Sequence, residues 1–269
     1  MLLGKWKIRL KSKVMKSTIY IKRILILLFI QSFTLGIFAQ EAMIKEAETA
    51  YIQEDYAKAI ELYEEILAVN GASSEIYYNL GNAYYKNNKV ASAILNYERA
   101  LLLDPGDADI RFNLQLARQK TVDNIEPLDE FFLSKWFGSV QNMGSADSWA
   151  KLGIISFILF IFCLLLFFFS RWIQMKKAGF YIGLVLLIIV VFANIFAKNQ
   201  KDQLVNRTHA IVFSPTVTVK SSPDNSGTDL FILHEGTKVF LKSSLGEWRE
   251  IELEDGNVGW MHSNDMQII

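Results

Sequence analysis

Residues 74–107 read SEIYYNLGNAYYKNNKVASAILNYERALLLDPGD, and the reading of this stretch decides the fold. Tyr77, Leu80, Gly81 and Tyr84 recur at the spacing of one helix face. Asn87-Asn88 then supplies a turn, because asparagine tolerates a left-handed backbone. A second apolar face follows through Ala93, Tyr97 and Ala100, and Pro105 ends it for want of an N–H. Gly81 and Ala93 are small where the two helices would cross closely. Tyr77, Tyr84 and Tyr97 are large enough to fill the space around them. The expectation is an antiparallel helix pair.

Working outward, Ala59 precedes Ala93 by 34 residues, and Tyr63 precedes Tyr97 by the same 34. Tyr63-Glu64-Glu65-Ile66-Leu67 parallels Tyr97-Glu98-Arg99-Ala100-Leu101. Self-similarity at this period marks a helical repeat array. Tyr77, Leu80, Gly81, Tyr84, Ala93, Tyr97, Ala100 and Pro105 together resemble the tetratricopeptide pattern, with Tyr in place of its first Trp. The first copy keeps Ala47 and Ala59 at the small positions but has Met43, Ala50 and Gly71 where the pattern has Tyr, Tyr and Pro. Residues 108–120 read as a further first helix that caps the last apolar face. The expected all-α array spans 40–126, with repeats at about 40–73 and 74–107 and a capping helix at 108–120.

Such pairs curve into a concave surface lined by the first helix of each. On the second copy Tyr78, Asn79, Asn82 and Lys86 avoid the core face, and Asn113 on the capping helix corresponds to Asn79. Two readings stand side by side. These residues line a peptide groove, where amides bond a peptide backbone, or they are solvated helix surface.

The chain has 269 residues, 51% hydrophobic and 21% charged, with a mean hydropathy of +0.20. That excludes a disordered chain, which needs low hydrophobicity and high net charge. A single cysteine, Cys163, excludes an internal disulfide framework. The 28 basic and 28 acidic residues balance overall but not locally. Residues 1–40 hold 8 basic and 0 acidic residues, whereas 41–130 hold 8 and 17. Residues 151–200 hold 5 and 0, and 201–269 hold 6 and 10. Alternation of this kind suits a membrane topology. Nucleic acid is not an expected partner, because that needs a basic patch on a folded domain, and both folded parts are acidic.

Residues 1–39 combine a basic start, the apolar run Ile24–Ile30 and a small residue, Ala39. This reads as a cleaved signal peptide or an uncleaved N-terminal anchor, starting at Met1 or Met15. Residues 152–172 and 178–197 are two apolar runs of transmembrane length, with no Asp, Glu, Lys, Arg or His in Ile154–Phe169 or Ala178–Ala197. The basic loop 171–177 between them places it in the cytoplasm by the positive-inside rule. Both folded domains then lie on the outer, periplasmic side of a bacterial inner membrane. Residues 127–150 carry Phe131, Phe132, Trp136, Phe137 and Trp149. They are expected as an interfacial linker, with 128–143 lying on the lipid bilayer; alternatively the rings pack on the repeat domain.

Residues 205–269 change to short apolar stretches separated by Ser222-Pro223, Glu235-Gly236 and Asp255-Gly256. They read as an all-β unit. The runs Thr218-Val219-Lys220-Ser221-Ser222-Pro223, Leu233-His234-Glu235-Gly236-Thr237-Lys238-Val239, Glu247-Trp248-Arg249-Glu250-Ile251 and Gly259-Trp260-Met261 resemble a bacterial SH3-like barrel. Trp248 lies opposite Ile251 in strand parity. Trp248 and Trp260 form a candidate binding patch, or Trp260 closes the barrel core.

His209, His234 and His262 have no metal-ligand spacing, and no nucleophile or phosphate-loop motif is present. The reading is therefore non-enzymatic, with no cofactor and no metal. The whole is a multidomain membrane protein: tetratricopeptide array, two transmembrane helices, SH3-like barrel. That order resembles the BatE family of aerotolerance-operon proteins. The resemblance implies a scaffold working with membrane proteins that carry von Willebrand A domains, in an aerotolerance or envelope-stress system. A second reading is a peptidoglycan sensor or anchor acting through the SH3-like domain.

Overall fold

The computed structural model describes residues 40–128 and 131–269. The expected export segment, 1–39, lies outside the described residues. The chain divides into two compact units between Asn70 and Gly71.

In the first unit, residues 40–52 form helix α1 and Tyr56–Asn70 form α2. Ala59, Ile60, Tyr63 and Ile66 are the buried stripe of α2, spaced as one helix face. Glu54 takes a left-handed φ of 62° in the turn between the helices. An exposed ion pair, Lys58 to Glu46 at 2.8 Å, links them.

The second unit begins with α3 (Ser74–Lys86), α4 (Val90–Leu103) and α5 (Ala108–Arg118). Asn88 makes the α3–α4 turn at φ 62°. Asp107 caps α5, its Oδ1 accepting from the N–H groups of Asp109 (2.8 Å) and Ile110 (3.0 Å). At Gly81 a Cβ atom would stand 2.7 Å from the Tyr97 ring. The glycine is what lets α3 and α4 approach so closely.

Next come α6 (Phe132–Gln141), α7 (Ala146–Phe169) and α8 (Ile173–Asn206). By length and composition α7 and α8 could each cross a membrane. They pack as a hairpin on small residues: Gly153 meets Ala193, Gly183 meets Cys163, and a Cβ on Gly179 would lie 2.8 Å from the Cys163 carbonyl oxygen. Small residues are what apolar helices use to approach when no hydrophobic effect separates protein from solvent. Only Ser170–Trp172 connect the two, and α8 continues well past Ala197.

Seven strands follow: β1 (His209–Val212), β2 (Thr216–Lys220), β3 (Asp229–His234), β4 (Lys238–Leu245), β5 (Trp248–Glu252), β6 (Val258–His262) and β7 (Met266–Ile268). They form one antiparallel sheet in the order β3-β2-β6-β5-β4-β1-β7. Val217, Val219, Leu233, Val239, Ile251 and Met261 fill its core. Gly259 is needed inside β6, because any side chain there would strike Val219.

The sequence presents the repeat helices and the sheet as two modules, yet they share a core. Ile211 and Ile269 lie in one buried cluster with Ile94, Tyr97 and Leu114, and Phe213 packs against it. Arg99 of α4 donates to the Ile268 carbonyl at 2.8 Å, covering the end of the sheet. The segment 121–128 runs along the sheet, with Ile125 against its core and the Leu128 N–H bonded to the Glu254 carbonyl at 3.0 Å.

Candidate functional site

Four of the candidate groove residues sit on α3. Tyr78, Asn79 and Asn82 are half-buried and Lys86 is exposed. Asn113 projects from α5 and donates from Nδ2 to the Tyr78 hydroxyl at 2.7 Å. The Tyr97 hydroxyl, from the otherwise buried residue of α4, donates to Asn82 Oδ1 at 2.7 Å. The rings of Tyr78 and Tyr97 lie 6.1 Å apart. Thus Tyr78, Asn82 and Asn113 meet around one buried tyrosine, and these two bonds involve neither Asn79 nor Lys86. These bonds orient the two amides and use only part of each. Asn82 retains its NH2 donor, and Asn113 retains its carbonyl acceptor.

The sequence reading missed two neighbours. Phe112 and Leu116 on α5 are 66% and 37% exposed. They stand 34 residues after Tyr78 and Asn82, so the repeat register that paired Asn79 with Asn113 would have found them. The face therefore offers apolar side chains beside oriented amides.

The junction behind it is strongly charged. Glu98 of α4, 6% exposed, accepts from Lys238 Nζ at 2.7 Å and from Arg118 Nη2. Burial alone would raise this carboxyl, but Lys238 and Arg118 together hold it below the ordinary carboxylate range. Asp123 accepts from the Thr237 hydroxyl (2.6 Å), the His234 N–H (2.7 Å) and His234 Nδ1 (2.7 Å). There too burial opposes ionisation, and the hydrogen bonds from Thr237 and His234 outweigh it, lowering the Asp123 pKa. His209 is pushed down to about 4 by burial and then by Lys238.

On the sheet, Trp248 pairs with His262 and Trp260 pairs with Glu250. Directly opposed residues share a face, as do residues two apart, so Trp248, Glu250, Trp260 and His262 lie together. The Trp248 and His262 rings stack with centroids 3.9 Å apart. Trp260 does not close the core: its neighbours Gly259 and Met261 are the buried residues of β6, and Trp260 is half-buried on the other face. The three histidines are thus dispersed, His209 against Phe240, His234 on Asp123 and His262 on Trp248. Among the described residues no group of three or more His, Cys, Asp and Glu could hold a metal ion.

Two of the linker rings pack on α8. Phe137 and Trp149 each lie 4.8 Å from Phe196 of α8, and Phe131, Phe132 and Trp136 are exposed.

Residues 44–114 match the tetratricopeptide repeat family model, a minority of the chain. That match carries the repeat assignment. Among solved structures the chain is similar to the tetratricopeptide domain of Sgt2 from Aspergillus fumigatus, with 16% identity and a TM-score of 0.29 over 62% of this chain and 82% of that one. It is also similar to the Arabidopsis OM64 tetratricopeptide domain, with 17% identity and a TM-score of 0.30 over 61% and 95%. No curated protein sequence matches the chain.

Proposed function

We propose that the protein is a non-enzymatic membrane scaffold whose repeat groove holds a segment of a partner protein. The observation that carries this reading is the oriented pair of amides beside exposed apolar side chains. Tyr97 and Tyr78 fix Asn82 and Asn113, so each keeps a valence suited to a peptide backbone. Phe112 and Leu116 supply contact area that solvation alone does not require. Repeat position and amide geometry together give a peptide its hydrogen bonds and an anchor. The groove residues are Tyr78, Asn79, Asn82, Lys86 and Asn113, joined by Phe112 and Leu116.

Truncating an interface tyrosine typically costs at least ~2 kcal/mol, roughly a 30-fold loss of affinity. The double change Tyr78→Ala and Asn82→Ala therefore releases the partner recovered by crosslinking in native membranes, while hydrogen exchange of the sheet stays unaltered. If the partner remains on that variant but is lost on Trp248→Ala, the site is on the sheet instead. That outcome belongs to the second reading, a peptidoglycan sensor or anchor. What favours it is the shared face of Trp248, Trp260 and His262. The all-β unit is read as SH3-like on its motifs. Its place after two apolar helices and a repeat array resembles the BatE order, which points to a von Willebrand A domain membrane protein as the partner.

The proposed topology is a hairpin in a bacterial inner membrane, with the repeat helices and sheet on the periplasmic side. In a Cys163→Ala background, a cysteine replacing Gln174 is shielded from an impermeant thiol reagent in intact spheroplasts, and one replacing Ser226 is labelled. Labelling at 174 but not at 226 reverses the sidedness.

A further inference from the structure

We infer that the membrane anchor is a three-helix device: α6 lies in the bilayer surface beside the hairpin and is locked to it, fixing the height of the groove. This rests on the hairpin reading of α7 and α8.

The first observation is the unpaired part of α6. Phe132, Leu133 and Trp136 fall within about 100° of helix circumference at 3.6 residues per turn, and Phe131 precedes them. All four are between 52% and 68% exposed. Next around the helix stands Phe137, against Phe196 at 4.8 Å and Phe192 at 6.4 Å. One apolar stripe is thus shared between α8 and an open side. The opposite side carries Ser134, Lys135 and Gly138, and Lys135 is the only charge between Phe131 and Ala146.

The second observation sets the level. Phe192 and Phe196 close the apolar run of α8, and the next turn is polar. There Asn199 donates to Gln141 Oε1 at 3.2 Å, and Gln200 Nε2 donates to the Gln141 carbonyl at 3.2 Å and to Asn142 Oδ1 at 3.0 Å. The Trp149 indole at the start of α7 donates to the same Gln141 carbonyl at 2.8 Å. The C-terminal end of α6 is therefore tied to both hairpin helices, at the boundary between their apolar and polar parts. Gly106, in the α4–α5 turn, is pressed on the Met143 carbonyl, where a Cβ would approach to 2.8 Å. The α4–α5 turn thus rests on the same knot.

The occupant of the open side is the headgroup–acyl boundary of a bilayer. The apolar stripe continues without a break onto the α8 surface that enters the hydrocarbon. Aromatic residues favour that depth, and an amphipathic helix with a cation on its polar side lies in this plane.

The test uses the full chain with Cys163→Ala, reconstituted in vesicles of phosphatidylethanolamine and phosphatidylglycerol. Single spin labels are placed at Phe132→Cys, Leu133→Cys, Ser134→Cys, Trp136→Cys and Gly138→Cys, none of them a buried residue, and at Leu159→Cys and Ile188→Cys in the hairpin. The expected result is that collision with oxygen exceeds collision with a water-soluble nickel reagent at 132, 133 and 136. The ratio reverses at 134 and 138, so it oscillates with the helical period. Nickel access at 132, 133 and 136 equal to that at 134 overturns the inference, since the stripe is then in water. Protection of the stripe from both reagents also overturns it, because the occupant is then protein. Labels at 159 and 188 separate the two levels. If they too lack oxygen preference, the hairpin reading itself fails; if they show it and the stripe does not, only the in-plane helix fails.

Discussion

Replacing Glu98 with alanine separates the sheet from the repeat helices. Glu98 is buried between Lys238 of β4 and Arg118 of α5, and its removal takes the shared carboxylate from both cations and leaves Arg118 only Glu254, 3.9 Å away. Breaking a buried pair by deleting one partner typically costs about 3–5 kcal/mol. Here Lys238 and Arg118 are 20% and 38% exposed in their side chains, so water recovers part of that loss. About 3 kcal/mol is the working figure, near a hundredfold in the local opening equilibrium. Hydrogen exchange of the full chain in detergent reads it directly. Protection falls in 94–103 and 209–213, where Ile94, Tyr97 and Ile211 share the core, and holds in the hairpin. Replacing all three charges at once, as Glu98→Leu, Lys238→Met and Arg118→Met, restores protection, because an apolar cluster of similar volume has no desolvation penalty to offset. Unchanged exchange in Glu98→Ala would mean that the ion triad does not hold the junction.

The same carboxylates set an acid limit. The pKa values of Glu98 and Asp123 are both lowered in the folded chain. A carboxyl that ionises more readily when folded contributes its full stability above its unfolded pKa. That contribution is lost as pH falls through the folded value. The junction therefore opens at acid pH, and in Glu98→Ala the remaining acid sensitivity is that of Asp123.

How much of this was legible beforehand follows from how far apart the determinants lie. The helix pair was legible because Gly81, Ala93 and Tyr97 act within one repeat, at spacings that only a helix crossing explains. Phe112 and Leu116 are equally accessible through the repeat register, although a capping helix gives no reason of its own to expect a binding face there. The junction was not legible. Glu98 and Lys238 are 140 residues apart, and Tyr97-Glu98-Arg99 reads as solvated charge on an amphipathic helix. Trp260 illustrates the limit of residue type. An aromatic residue in a strand suggests core, yet Gly259 and Met261 take the inward parity and leave Trp260 outside.

Gly81 couples the fold to the groove, so Gly81→Leu is expected to remove both. Even the first carbon of a side chain would stand 2.7 Å from two atoms of the Tyr97 ring, well inside van der Waals contact. Tyr97 is 1% exposed and sits in the cluster shared with Ile211 and Ile269, so it cannot swing into solvent without opening that core. Overpacking of this kind costs typically about 1–3 kcal/mol, and leucine at a helix crossing belongs at the upper end. The displaced ring also carries the hydroxyl that holds Asn82 at 2.7 Å, and its neighbour Tyr78 holds Asn113. Both amides then lose their orientation. The expected outcome is faster hydrogen exchange across 74–103 together with loss of the crosslinked partner. Tyr97→Phe separates the two effects. It keeps the ring against Gly81 and removes only the hydroxyl, so exchange in α3 and α4 changes little while partner capture weakens. A partner bound equally well by Tyr97→Phe and by the parent chain would show that Asn82 needs no positioning. The groove would then act through Tyr78, Phe112 and Leu116 alone.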